Sequence, residues 1–193
     1  LAAALGQRSL AVRRRLKVGV FSTGDELREA GEPLAEAAIY DANRVLLLSL
    51  LKRAGTEGVD LGILRDDAGA LALRLRQAAQ SCDLVLTSGG VSTGEEDHVK
   101  AAVEKAGTLA LWRIAIKPGR PVVMGVIDGA AFVGLPGNPV AVYVTFAFIV
   151  RPLLALLAGE NWPAPRRIPV TSGFAYKKKP GRREYVRDSL MPN

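Results

Sequence analysis

The sequence predicts an α/β fold, a three-layer α/β/α arrangement around a mostly parallel sheet, and three observations carry that prediction. Short apolar runs alternate with longer stretches whose apolar residues recur at helical spacing. Polar turns bearing glycine follow the strand-like runs directly. A single hairpin signal, Asp128-Gly129, breaks the alternation and places an antiparallel element near one edge.

The elements follow in order. Residues 1–16 are rich in Ala and Arg, have no core of their own, and read as the remnant of an upstream domain. Lys17-Val18-Gly19-Val20-Phe21-Ser22 is a first strand running into the polar turn Thr23-Gly24-Asp25-Glu26-Leu27. A loop through Gly31-Glu32-Pro33 ends near Tyr40-Asp41, and Asp41 or Asn43 can cap a helix carrying Val45, Leu46, Leu48, Leu50 and Leu51 up to Gly55. Val59-Asp60-Leu61-Gly62-Ile63-Leu64 is a second strand, followed by Arg65-Asp66-Asp67 and a helix over about residues 68–80. Asp83-Leu84-Val85-Leu86 suits a buried strand, and Val99, Ala102, Val103 and Ala106 suit a helix stopped at Gly107. Residues 109–116 make a fourth strand, ending at Lys117-Pro118-Gly119-Arg120. Residues 122–127 and 131–135 form the hairpin. In Pro136-Gly137-Asn138-Pro139, Asn138 is an N-cap and Pro139 takes the first position of a long apolar helix. The main α/β domain therefore spans residues 17–158. Residues 159–193 hold a Pro-rich linker and two strands, residues 167–174 and 184–186, that open a small C-terminal β domain.

Composition narrows the function classes. With 49% apolar residues among 193, the chain can bury one substantial core. The single cysteine, Cys82, excludes an internal disulfide and fits a reducing compartment. The opening residues do not form a signal peptide, and the apolar run over residues 139–150 is broken by Arg151-Pro152, short of a membrane span. A soluble, cytoplasmic protein with no membrane partner is expected. The net charge of +7 is unevenly placed. Residues 17–152 hold 14 basic and 16 acidic side chains, net −2, whereas the flanks hold 12 and 3, net +9. Basic residues outside the main domain do not make a nucleic-acid groove, and no nucleic-acid partner is expected.

The chemistry-bearing turns share one topological position. In parallel α/β sheets, ligands sit beyond the carboxyl ends of the strands. Residues 23–26, 65–67, 88–97, 117–119 and 136–139 each follow a strand, whereas the opposite loops, Gly55-Thr56-Glu57 and Ala106-Gly107-Thr108, carry little chemistry. Ser88-Gly89-Gly90-Val91-Ser92-Thr93-Gly94 combines glycines with hydroxyls between a strand and a helix, an anion cradle. Glu95, Glu96 and Asp97 beside it imply a hard cation such as Mg²⁺, or else simply favour the helix dipole. Each residue has a structural alternative: Asp66 and Asp67 as helix caps, Glu26 as a solvated loop residue, Lys117 and Arg120 as surface charges. His98 and Cys82 stand without metal-ligand or base partners and read as structural. P-loop and dinucleotide signatures are absent.

These residues resemble a known family. Ser88-Gly89-Gly90-Val91-Ser92 with Gly94-Glu95 and Asp97 is similar to the molybdopterin-binding signature. Thr23-Gly24-Asp25-Glu26-Leu27, Tyr40-Asp41-Ala42-Asn43, Leu61-Gly62-Ile63-Leu64-Arg65-Asp66-Asp67, Ile116-Lys117-Pro118-Gly119 and Leu135-Pro136-Gly137-Asn138-Pro139 look like further blocks of the molybdopterin molybdenumtransferase family, in its order. The resemblance, over about residues 17–190, implies Mg²⁺-dependent insertion of molybdate into adenylylated molybdopterin with release of AMP. It implies that Glu26, Asp66 and Asp97 hold Mg²⁺, and that Arg113, where the family often has lysine, and Lys117 contact molybdate or phosphate. Thr23, Gly24, Asp25, Ser88, Gly89, Gly90, Val91, Ser92, Gly94, Pro118, Gly119, Pro136, Gly137 and Asn138 would bind the pterin ligand. Family members carry an upstream region that helps form the cleft, partly from a dimer partner, so a homo-oligomer is expected and this chain is expected to bind without turnover. Molybdopterin adenylyltransferase, which shares the fold, and a non-catalytic scaffold are the alternatives.

Overall fold

The structure, a computed structural model, describes the chain except Asp66, residues 92–97, Ala164, Lys179, Arg187 and residues 190–193; at Leu111 and Trp112 only the backbone is described. Six strands form the central sheet: β1 (Lys17–Thr23), β4 (Glu57–Leu64), β5 (Leu84–Ser88), β6 (Thr108–Arg113), β8 (Pro121–Ile127) and β9 (Ala130–Leu135). Their order is β4-β1-β5-β9-β8-β6. Strands β4, β1, β5 and β9 run parallel, and β8 is antiparallel to both β9 and β6. Two short pairs lie outside the sheet: β2 (Leu27–Arg28) with β3 (Ile39–Tyr40), and β7 (Ile116–Lys117) with β10 (Arg183–Glu184).

Strands buried on both faces, with side chains alternating in direction, make the three layers. Val18 and Val20 of β1, Leu84 and Leu86 of β5, and Val133 and Leu135 of β9 face one core with α1 (Ala42–Arg53) and the helix Pro139–Ala158. Phe21, Val85 and Phe132, of opposite parity on the same strands, face the other core with α2 (Ala68–Ala79) and α3 (His98–Ala106). Right-handed crossovers require this split. The β1-to-β4 step moves along the sheet one way and the β4-to-β5 step moves back, so α1 and α2 cover opposite faces.

The capping expectations resolve cleanly. Asp41, not Asn43, caps α1 by accepting from Arg44 N, and Asp67 caps α2 by accepting from Ala70 N. Asn138 caps α4 (Pro139–Thr145) through Val140 N and Ala141 N. Asp128 and Gly129 both have positive φ, at 47° and 88°, as a two-residue hairpin turn of the right twist requires.

Three expectations need correction. The apolar helix does not break at Arg151-Pro152. It continues through a π turn (Phe146–Val150) into α5 (Arg151–Ala158), because Pro152 sits in the first turn of α5, where a missing N–H is tolerated. At 20 residues it is long and apolar enough to cross a membrane by length and composition, yet Ala141, Val142, Phe146, Val150 and Leu154 are buried in the α/β core. The run over residues 109–116 also divides: Ile114 N donates to Arg120 O, which turns the chain out of the sheet before β7. Residues 167–174 form no strand. Ser172 Oγ bonds with the backbone of Phe174 instead, a local turn that competes with extended pairing.

Two carboxylates make acid stability predictable. Arg14 hydrogen bonds hold the Asp83 carboxyl below its ordinary range, helped by Lys17 N–H. Burial pushes Asp60 up, but the Arg44 hydrogen bond, Gly62 N–H and Arg44 charge outweigh it and hold Asp60 low. Groups depressed on folding stabilise the fold above their unfolded pKa near 3.8 and lose that contribution as pH falls through the folded value. Thermal melts should therefore be flat from about pH 7 to 5 and fall below about pH 4. A melting temperature that stays level down to pH 2 would contradict this assignment.

Candidate functional site

The sheet topology places a crevice at the end of β5. The chain leaves β5 toward α3 on one face, whereas the neighbouring strands β1 and β9 lead to α1 and α4 on the other. Strand β5 thus lies between two points where successive connections part, the position at which open α/β sheets bind ligands. Thr23, at the end of β1, and Ser88, at the end of β5, are buried there.

Gly89 and Gly90 close the crevice. Both have positive φ, 89° and 64°. Gly89 N donates to Leu135 O, and a Cβ on Gly89 would fall on the carbonyl oxygen of Thr23. A Cβ on Gly90 would meet Val99 and Thr23 side chains at 2.5 and 2.8 Å. Val91 is buried in the core and anchors the loop. The backbone of the loop can therefore approach neighbouring chain, and a ligand, more closely than any other residue type allows.

A cleft of about 110 Å³ lies beside this loop, lined by Thr23, Glu26, Asn43, Ser88, Gly89 and Gly137, among others. Five of these six were expected from sequence. A more open recess of about 730 Å³ lies on the far side of Leu27, lined by Gly24, Asp25, Arg28, Glu29, Arg65 and Asp67, among others. Leu27 lines both, so Glu26 and Asp25 look into different spaces. Gly24 gives Glu26 its room, since a Cβ there would sit 2.5 Å from the Glu26 carboxylate.

Sequence reading missed Asn43 as a site residue. Its Nδ2 donates to Gly137 O at 2.7 Å, joining α1 to the turn after β9. That bond fixes the amide, leaving Oδ1 as a buried acceptor without a hydrogen-bond partner on the cleft wall. Ser22 Oγ and Thr87 Oγ1, in the last turns of β1 and β5, are likewise buried and unpartnered. Buried unpaired acceptors cost about 1–3 kcal/mol each, a cost that a donor-bearing ligand removes. Asn43→Ala should lower affinity for a pterin ligand about tenfold while changing stability little; unchanged affinity in a direct titration would remove Asn43 from the site.

Other expected residues do not line this cleft. Arg113 is exposed. Lys117, expected to contact molybdate or phosphate or else to be a surface charge, is exposed and 3.5 Å from the Glu184 carboxylate, which also accepts from Tyr176 OH. The pairing is made possible because β10 adds to β7, with Tyr185 N donating to Lys117 O and the Tyr185 ring stacked on Phe148 at 4.2 Å. Pro118 is half-buried, and Gly119 is buried with its bare Cα facing Thr145 and Ile116. Pro136 is buried, while the Asn138 side-chain oxygen is engaged in capping.

Of the proposed metal ligands, Glu26 lies on the cleft wall, and Asp66 and Asp97 fall outside the described residues, as do Ser92 and Gly94. Among the described residues no group of three or more His, Cys, Asp or Glu side chains is arranged to hold a metal ion.

Comparison with known proteins adds a lineage to this geometry. The family model described as "Probable molybdopterin binding domain" matches residues 19–156. A molybdopterin molybdenumtransferase of Haemophilus influenzae is 45% identical over 188 residues, covering 97% of this chain and 46% of the relative. The chain spans less than half the length of the curated relatives it matches. A molybdopterin biosynthesis MoeA protein of Pyrococcus horikoshii superposes with a TM-score of 0.72 at 35% identity, covering 82% of this chain and 39% of that one. A MoaB of Thermus thermophilus, at 20% identity and a TM-score of 0.59, shares the fold over 77% of this chain and 99% of its own. All six residues named on the cleft wall fall in four of the sequence blocks that resemble this family, and the chain belongs to the molybdopterin-binding domain family.

Proposed function

We propose that this chain carries the ligand-binding part of a molybdopterin molybdenumtransferase and acts in molybdenum cofactor biosynthesis. In the proposed reaction, molybdate is inserted into adenylylated molybdopterin and AMP is released. The observation that supports this reading most is the crevice at β5, where Gly89 of the diglycine loop and Asn43, whose buried Oδ1 has no hydrogen-bond partner, line one cleft.

The roles follow from the chemistry of the wall. Backbone N–H groups of the glycine loop suit phosphate oxygens, and Asn43 Oδ1 suits the amino or ring N–H donors of a pterin. The cleft of about 110 Å³ takes one end of such a ligand, with the remainder extending along the open rim. Glu26, Asp66 and Asp97 are the carboxylates proposed to hold Mg²⁺, which when bound screens charge developing on the departing phosphate. Lys117 and Arg113 are proposed to draw molybdate to the rim. Lys117 keeps donor capacity for this, since an ammonium has three N–H groups and Glu184 engages it at a long 3.5 Å.

The test is a titration of the 193-residue chain with adenylylated molybdopterin, with and without Mg²⁺. Wild-type affinity should rise with Mg²⁺, and Glu26→Gln should abolish that rise while metal-free binding persists. Turnover by this chain alone should be low or nil. Pyrophosphate release on mixing with molybdopterin and ATP would favour an adenylyltransferase instead, and identical Mg²⁺ dependence in Glu26→Gln would refute the metal role.

A further inference from the structure

A cluster of arginines lies at the opposite edge of the sheet from the crevice. A cleft of about 610 Å³ opens between residues 12–16, the C-terminal end of α1 and the C-terminal end of α5. Arg13, Arg15, Arg53 and Arg151 line it, together with Trp162 and one carboxylate, Glu160. Arg14 also lines it but is committed elsewhere, to Asp83 at 2.6 and 2.7 Å. The other four arginines make no ion pair among the described residues.

Two of them are held in place. The Arg13 guanidinium lies over bare Gly159, where a Cβ would come within 2.6 Å of Cζ. The Arg151 guanidinium sits over the Trp162 ring, 5.1 Å from its centroid, a cation–π arrangement. Arg53, in the last turn of α1, complements the helix dipole, as does Arg13 at the end of α5. The dipoles account for a single cation at each helix end. They do not account for four guanidiniums lining one concave space, where the summed positive potential favours a bound anion.

We propose that this cleft is a second binding site, for a small phosphorylated anion of pyrophosphate type. Its volume lies within the range of small-molecule sites, and arginine forks match phosphate oxygens two at a time. The site is distinct from the molybdopterin crevice and does not rest on it.

Calorimetric titration of the chain with inorganic pyrophosphate tests this. Arg53 and Arg151 are exposed, so the double variant Arg53→Gln/Arg151→Gln should keep its fold, checked by its melting temperature. The dissociation constant of wild type should rise at least tenfold in the double variant and should stay unchanged in Asn43→Ala. Trp162 fluorescence should change on binding, through Arg151. Absence of pyrophosphate binding, or binding that the double variant retains, overturns the proposal. So does a glutamate-rich peptide that binds more tightly than pyrophosphate, which would mark the cleft as a protein-docking surface.

Discussion

A Gly89→Ala chain should lose molybdopterin binding by more than tenfold and melt on the order of 10 °C lower. Two effects add at this position. The residue has φ +89°, a region that costs an L-side chain about 1–2 kcal/mol. Its new Cβ would also fall on the Thr23 carbonyl oxygen, so the ends of β1 and β5 must part, at a further cost of about 1–3 kcal/mol. That parting moves Thr23 and Ser88, two walls of the cleft, and so damages binding as well as stability. Gly55→Ala separates the two effects. Gly55 has φ +78° but open space where its Cβ would go, and it lies at the far edge of the sheet. It should cost the strain alone, about 1–2 kcal/mol, with molybdopterin affinity intact. Equal losses of binding in the two variants would show that the close approach at Thr23 is irrelevant to the site.

The parts of this molecule that sequence revealed are those set by neighbours in the chain. Alternating Val18, Val20 and Phe21 assign themselves to two cores, because side-chain direction in a strand is fixed by parity. Asn138-Pro139 and Asp128-Gly129 act within a turn or two, and the structure places both as expected. What sequence concealed depends on partners far along the chain. Asn43 becomes a cleft residue only because Gly137, 94 positions later, takes its donor hydrogen. Lys117 reads as a ligand contact or a surface charge, and its partner Glu184, 67 positions on, is brought to it by β10. Gly107 reads as a left-handed helix stop, yet it is not among the positive-φ glycines. It is glycine because any Cβ would strike the Val126 carbonyl of β8. The same residue type thus serves two mechanisms that composition and spacing cannot separate, conformational freedom at Gly55 and bare proximity at Gly107.

Arg44→Met should destabilise the fold by about 3–5 kcal/mol, enough to lower the melting temperature by roughly 10 °C. Arg44 is buried on α1, and its guanidinium bonds three carboxylates: Asp41 at 2.9 Å, Asp60 on β4, and Glu29 in the segment after β2. Burial opposes its charge, but the hydrogen bonds to Asp60, Asp41 and Glu29 outweigh burial and hold the guanidinium pKa above its usual value. Methionine fills similar space, so the loss comes mainly from Asp41, whose side chain is 1% exposed and would keep an unpaired charge. Asp60 and Glu29, about half exposed, can turn to water. Adding Asp41→Asn to Arg44→Met tests this division. Asparagine still caps α1, and no buried charge remains, so the double variant should be more stable than Arg44→Met alone. The hub also sits one residue from Asn43 and ties the Glu29 segment to α1, so Arg44→Met should weaken molybdopterin binding in step with its stability. A double variant less stable than Arg44→Met would place the main cost in the lost bonds to Asp60 and Glu29, not in the stranded Asp41 carboxylate.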